Sequence, residues 1–327
     1  MLRSLTIIIT LGLTLGLVSP LAAHAQSVSN WQSEFPNTDF SKISVPLSEI
    51  DDDGNRRDSI PPIYTPKFLP VDQATQYGEF EPVISVTING EARAYPLQIL
   101  LWHEMVNDVV GGTPLLVTYC PLCNSGLVFS RILDGETVIF GNTGRLRRLD
   151  MIFFDFRGES WWQQITGTAI IGDRVGQKLT LLPSRIESMD AFLKREPAGL
   201  VLVPNDPNAR PYGQTPFAGI DTGPAPRQFS QWPLPDGINP AQYVVVVGEK
   251  AWPLARIRDA KKLREAGLTF SWTAGRNSIH DTRQISEGRD LGNVTVQNAD
   301  GSDAVYDLVF AFAFSAFIPD GEWMLGN

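Results

Sequence analysis

Val83-Ile84-Ser85-Val86-Thr87-Ile88-Asn89-Gly90-Glu91-Ala92-Arg93-Ala94-Tyr95-Pro96-Leu97 reads as a strand, a two-residue turn and a returning strand. β-Branched and aromatic side chains favour an extended backbone because they pack well on a pleated surface. Asn-Gly supplies the two positive φ angles that a tight hairpin turn requires. Over residues 97–110, Ile99, Leu100, Trp102, Met105, Val106 and Val109 recur at helical spacing, so an amphipathic helix is expected to run to Gly111-Gly112. Apolar strands are expected over 115–119 and 126–132, and further strands at 137–140, 151–156 and 168–171.

The unit has an echo. Arg93-Ala94-Tyr95-Pro96-Leu97 returns 157 positions later as Lys250-Ala251-Trp252-Pro253-Leu254, and Asp150-Met151-Ile152-Phe153 returns at the same offset as Asp307-Leu308-Val309-Phe310. Strands at 243–247 and 250–254 and a helix over 255–266 complete the second copy, and the apolar stretch 305–318 suits a buried strand. The expected fold class is therefore α+β, a strand-rich mixed fold built from two related β-β-α-β halves. The competing explanation is that short apolar strands look alike. In the second copy Ala260 takes the place of His103 and no cysteine pair follows, which leaves the chemistry to the first half.

Arg3, an apolar run over 5–18, and then Ser19-Pro20 and Ala23-His24-Ala25 form the pattern of an export signal cleaved after Ala25. A membrane anchor needs about 18–20 apolar residues, more than this run offers. No cysteine at the junction points to a lipid anchor. Residues 26–75 are polar and proline-punctuated, an extended arm ahead of a single globular domain over 76–327. Within that domain the pseudo-repeats span about 76–185 and 241–327, and they are joined by a segment, 197–240, that holds ten prolines. The formal charge is −9, or −10 without Arg3, and no basic patch interrupts it. Nucleic acid is excluded as a partner, and no membrane insertion is expected after signal cleavage; a small molecule or a protein remains. The periplasm or the exterior is the expected location.

Export sharpens the question posed by Thr118-Tyr119-Cys120-Pro121-Leu122-Cys123-Asn124-Ser125-Gly126, which holds the only two cysteines of 327 residues. Outside the cytoplasm an unprotected pair can oxidise. A redox-active cysteine sits at a helix N-terminus that lowers its pKa, but here a strand follows Cys123. A hairpin turn instead presents both sulfurs to one point, as metal-binding knuckles do. On the expected helix, Trp102-His103-Glu104-Met105-Val106-Asn107-Asp108 places His103 and Asn107 on one face with Glu104 and Asp108 beside them. His103, Cys120 and Cys123 are thus the candidate metal ligands, for Zn²⁺ or Cu⁺. Glu104, Asn107 and Asp108 are candidates for acid–base work or for orienting the ligands. A fourth position falls to His280, Glu104, water or substrate, and His280 lies in a polar stretch expected to be exposed. A thiol–disulfide oxidoreductase, an inert disulfide, buried thiols, nucleophilic catalysis and a non-catalytic binding module stay open beside the metal reading.

Other features are weaker. Asp51-Asp52-Asp53-Gly54-Asn55 has the start of a calcium loop, but the required glutamate position is Ile60. His103-Glu104 lacks the second histidine of a zinc-protease helix. Ser160-Trp161-Trp162-Gln163-Gln164 could line a pocket or fill a core, and Asn142-Thr143-Gly144-Arg145 reads as a turn with an available cation.

Several tracts together resemble a family known only as domain of unknown function 3179, found largely in exported bacterial proteins. They are Asp58-Ser59-Ile60-Pro61-Pro62-Ile63 with Pro66-Lys67-Phe68, Ala92-Arg93-Ala94-Tyr95-Pro96-Leu97, and Trp102-His103-Glu104 with Asn107-Asp108. Tyr119-Cys120-Pro121-Leu122-Cys123 and Ser160-Trp161-Trp162-Gln163-Gln164 with Gly167 complete the set. Asn124 departs from the glycine or small residue often seen there, and Arg145-Leu146-Arg147-Arg148 matches loosely. The resemblance implies no reaction. It does imply that His103, Glu104, Asn107, Asp108, Cys120 and Cys123 belong to the pattern, that His280 does not, and that Asp58 and Lys67 fold over the same pocket.

Overall fold

In the computed structural model, which describes residues 30–52 and 54–326, Asn89 and Gly90 have φ of 51° and 82°. These angles close the hairpin of Pro82–Ile88 with Glu91–Pro96, in the register Ile88↔Glu91 and Ile84↔Tyr95. Arg185–Ser188 flanks it on one side, and Leu200–Val203 and then Lys67–Pro70 on the other, giving a five-stranded sheet. The export-signal region, 1–25, lies outside the described residues.

The expected helix over 97–110 is corrected. A helix occupies only Leu97–His103; Glu104 then takes a left-handed conformation at φ 56°, and Met105–Val110 is a strand. It pairs antiparallel with Thr113–Cys120, Val110 against Thr113 and Met105 against Thr118. Apolar residues at 102, 105, 106 and 109 fit a helical template, but Val106, Val109 and Val110 are β-branched, and pairing with Thr113–Cys120 on one side and with Ile63 on the other gives the backbone its partners in extended form. Gly111-Gly112 is accordingly a hairpin turn. At Gly111 a β-carbon would lie 2.2 Å from the Ile88 carbonyl oxygen, so the two hairpins approach too closely for any other residue.

The same correction applies further on. Leu254–Ala260 is a helix, Lys261 turns left-handed at φ 59°, and Lys262–Glu265 is a strand. The stretch expected as one strand over 305–318 divides into the strand Asp307–Phe310 and the buried, alanine-rich helix Ala311–Phe317. The strand expected at 137–140 is displaced into Glu136–Thr137 and the longer Phe140–Arg147.

The chain is strand-rich, with five main sheets of three to five strands in a propeller-like arrangement. One sheet runs Asp307–Phe310, Tyr243–Val247, Lys250–Pro253, Glu322–Trp323, with antiparallel, antiparallel and parallel pairings. That is also the sequence of directions from Arg185–Ser188 to Leu200–Val203 in the first sheet. Asp307–Phe310 therefore stands where Arg185–Ser188 does, whereas Asp150–Asp155 belongs to another sheet, beside Phe140–Arg147 and Trp161–Gln163. The Asp150/Asp307 echo joins strands in unlike places: short apolar strands after an aspartate share a composition without sharing a position.

One large apolar cluster runs through the sheets. A second one joins the arm to the outer side of the Asp150–Asp155 sheet, where Trp31, Phe35 and Phe40 surround Trp161 at ring distances of 5.5, 5.0 and 5.3 Å. Trp161 and Trp162 are fully buried core, not pocket lining. The proline-rich segment contributes the strand Leu200–Val203 and the 3₁₀ turn Arg227–Gln231. Among the described residues no helix is long and apolar enough to cross a membrane.

Glu81, at the entry to the first hairpin, is buried, and that burial pushes its carboxyl up to about 7 from an ordinary 4.5, against the pull of Gln98. The folded state keeps this proton where the unfolded chain has already lost it, so stability falls as pH rises from about 4.5 to about 7. Glu81→Gln is expected to remove a fall on the order of 3 kcal/mol, read from urea unfolding on either side of that window.

Candidate metal centre

Thr113–Cys120 and Ser125–Ser130 pair antiparallel with Cys120 opposite Ser125, so Pro121-Leu122-Cys123-Asn124 forms the turn between them. Asn124 sits at φ 52°, a left-handed position that a glycine or an asparagine fills most easily. Its side chain also takes the Tyr119 hydroxyl at 2.9 Å and donates to the Leu308 carbonyl at 2.5 Å. Both cysteines are buried and carry free thiols.

A second turn meets the first. Phe140–Arg147 returns as Asp150–Asp155 through Arg148 and Leu149, at φ 52° and 67°. A leucine in this region costs about 1 kcal/mol. The turn brings the Leu149 carbonyl oxygen to 3.7 Å from Cys120 Sγ and 3.5 Å from Cys123 Sγ. It also brings an Asp150 carboxylate oxygen and both sulfurs within 4.8 Å of one another. Asp150 Oδ2 accepts from Gln163 Nε2 at 2.7 Å and from the Ile165 backbone at 3.0 Å. Asp150 Oδ1 is buried without a hydrogen-bond partner among the described residues.

Burial raises the Asp150 carboxyl to about 7, and Glu104 likewise to about 7, with repulsion from Asp150 adding to the effect. Burial pushes the Cys120 thiol up, helped by Asp150 and Glu104, and lifts Cys123 well above the ordinary range. Four acidic groups thus share a desolvated pocket that disfavours every anion in it. A cation reverses that logic, because it stabilises thiolates and carboxylates alike.

Of the residues expected at the site, Cys120 and Cys123 are brought together, and Glu104 lies near enough for its charge to act on Cys120 and Asp150 without joining the converging donor atoms; His103, Asn107 and Asp108 are engaged elsewhere. His103 Nδ1 donates to the Pro61 carbonyl at 2.7 Å, and Nε2 accepts from the Tyr212 hydroxyl at 2.8 Å. Both ring nitrogens are used, and burial lowers the pKa of the imidazole. The helix ends between His103 and Glu104, so the two side chains reach different neighbours: Glu104 Oε2 accepts from Asn142 Nδ2 at 2.6 Å.

Asn107 exchanges two 2.9 Å hydrogen bonds with the backbone of Phe140. Asp108 accepts from Arg93 Nη1 with both carboxylate oxygens, at 2.6 and 2.7 Å, and from the Tyr95 hydroxyl at 2.7 Å. Both are staples between strands. Asp58 does reach the site indirectly, accepting from the Asn142 backbone at 2.8 Å, whereas Lys67 is exposed and donates to Asn205. Asn142-Thr143-Gly144-Arg145 is a bulge inside a strand, not a turn, and Arg145 is buried against Glu34 at 2.7 Å.

His280, expected to be exposed, is fully buried, with Nε2 2.7 Å from the Pro121 carbonyl and Nδ1 3.1 Å from the Tyr243 hydroxyl. Sequence reasoning missed Asp150 as a site residue and named Gln163 only within the tract 160–164, as pocket lining or core. The only signal at Asp150 was a carboxylate at the head of an otherwise apolar strand.

Asp108→Ala leaves the Arg93 guanidinium with Glu91 as its remaining carboxylate and the Tyr95 hydroxyl without an acceptor; it is expected to cost about 1–3 kcal/mol of stability, while the reaction rate of the two thiols with an aromatic disulfide reagent stays unchanged in the folded protein. A large change in thiol reactivity at constant fold would return Asp108 to the site.

Neither a curated protein nor a solved structure matches the chain. A family model described as protein of unknown function (DUF3179) matches residues 57–321, a span that takes in both turns, Asp58 and the strands that hold them, and the chain belongs to that family.

Proposed function

We propose that the protein is an exported metal protein that holds a zinc-type cation between Cys120, Cys123 and Asp150, with Glu104 nearby as a base and the fourth position left to water or substrate. One observation carries this reading: two sulfurs and a carboxylate oxygen from two separate turns within 4.8 Å of one another, in a fully buried setting. Without a cation such a cluster brings desolvation and no compensating charge. Two thiolates with oxygen donors suit Zn²⁺ better than Cu⁺, which favours sulfur and nitrogen. If the fourth position is open to substrate the ion can act as a Lewis acid; if a further donor closes it the ion is structural or cargo. His103, with both ring nitrogens engaged, is left out of the ligand set.

The runner-up, a thiol–disulfide oxidoreductase, needs an accessible thiolate. Burial of both sulfurs and their raised pKa count against it. The export reading rests on the pattern over residues 1–25. The proposed architecture is two related β-β-α-β halves. It is supported by two sheets with the same strand directions, by seven-residue helices at Leu97–His103 and Leu254–Ala260, and by a left-handed residue after each.

Protein made in metal-replete medium is expected to contain near-stoichiometric zinc by elemental analysis. Cys120→Ser and Cys123→Ser lose it, Asp150→Asn weakens it at least about tenfold, and His103→Ala keeps it. Metal-free wild-type protein that takes up neither Zn²⁺ nor Co²⁺ after reduction defeats the proposal, and a readily reducible Cys120–Cys123 bond in that protein installs the runner-up.

A further inference from the structure

The C-terminal half grips the cysteine turn through its backbone. Pro121 and Cys123 present carbonyl oxygens away from the sulfurs' own contacts with Leu149. The first takes His280 Nε2 at 2.7 Å and the second takes the Phe310 backbone N–H at 2.9 Å. Ser125 Oγ and the Gly126 backbone then donate to Asp307 at 2.5 and 2.9 Å. All of these partners come from residues 280–310, far along the chain from the turn they hold.

His280 differs from the others because it is a side chain brought to a backbone atom that lies between two ligands. A carbonyl only accepts, so the ring proton is on Nε2 and Nδ1 offers its lone pair. The Tyr243 hydroxyl, 3.1 Å from Nδ1 and 3.0 Å from Asp221 Oδ2, has one proton for these two acceptors and holds that edge of the ring in place. Tyr243 is itself placed by Asp221, whose Oδ2 lies 3.0 Å from the hydroxyl and also takes Ser278 at 2.7 Å and Arg289 at 3.0 Å. Burial pushes the imidazole down to about 4, which keeps it neutral and keeps this pattern in place. His280 also packs on Phe217 and Phe310, so the ring has no room to rotate away.

We propose that His280, oriented by Tyr243 and Asp221, is the positioning residue that holds the Pro121 carbonyl and so keeps the sulfurs of Cys120 and Cys123 converged on the cation. This rests on the metal reading above. It assigns a task to a histidine outside the family pattern and makes the C-terminal half part of the site rather than a support for it. Outer partners of this kind alter metal affinity without touching the metal.

The test is Co²⁺ titration of reduced full-length protein, following the sulfur-to-cobalt charge-transfer bands, for wild type, His280→Phe, His280→Gln and Tyr243→Phe. His280→Phe fills the same volume without a donor and is expected to weaken Co²⁺ about tenfold and to shift the bands. His280→Gln keeps an N–H for Pro121 and is expected to recover most of the affinity, and Tyr243→Phe to move it in the direction of His280→Phe. Wild-type affinity and spectrum in His280→Phe overturn the proposal. So does equal loss in the Phe and Gln variants with unchanged bands, which marks a purely structural role. Should His280→Phe fail to fold, the comparison of Tyr243→Phe with wild type decides by the same two readouts. If wild type takes no Co²⁺ the metal reading fails, and positioning is then judged on the metal-free thiols. Faster alkylation in His280→Phe than in His280→Gln upholds it, and equal rates overturn it.

Discussion

Two turns meet tip to tip at the centre of this protein, and the rest of the architecture answers to that meeting. The Pro121–Asn124 turn brings two sulfurs, the Arg148-Leu149 turn brings a carbonyl and a carboxylate, and both turns use left-handed backbone to do so. Burying Asp150 and Glu104 beside two thiols costs several kcal/mol per ionised group. The free energy comes from the continuous apolar core behind them and from the hydrogen bonds that fix each donor. Gln163 fixes Asp150, Asn142 fixes Glu104, and Asp58 fixes Asn142.

Seen this way, the polar residues of the family pattern divide into those that meet at the pocket and those that brace its walls. Asn107 imitates a backbone partner for Phe140, joining strands of two different sheets. Asp108 neutralises Arg93, whose guanidinium also lies 4.3 Å above the Phe68 ring. His103 ties the arm at Pro61 to the proline-rich segment at Tyr212. Each looked like chemistry because it is polar and stands among apolar residues. Each is accounted for by the rule that buried polar groups must be paired.

The N-terminal and C-terminal parts of the chain then have different duties. The first carries both turns. The second supplies Phe310, Asp307 and His280 as donors and acceptors to the cysteine turn, and the arm covers the outer face of the sheet that carries Asp150. Sulfurs that lie within a few ångströms of each other are thus held in a turn braced by segments far along the chain. A short loop alone has too much conformational freedom to do that.

What residue pattern alone determined was local. Asn89-Gly90 dictated a hairpin because two positive φ angles leave little choice, β-branched runs dictated strands, and Cys-x-x-Cys dictated a paired-sulfur turn. Both cysteines were legible as candidate ligands for that reason, whereas Glu104 was named from a helix that ends before it. Periodicity failed at 105–110 and at 262–265, where apolar spacing fits helix and strand equally and only pairing with a neighbouring strand decides between them. It failed again for His280, because burial of a polar segment is set by what packs over it. Asp150 entered the site, and His103 left it, through contacts between strands remote in sequence. Such contacts belong to the tertiary structure, since nothing in the spacing of residues along a chain fixes which turn will face which.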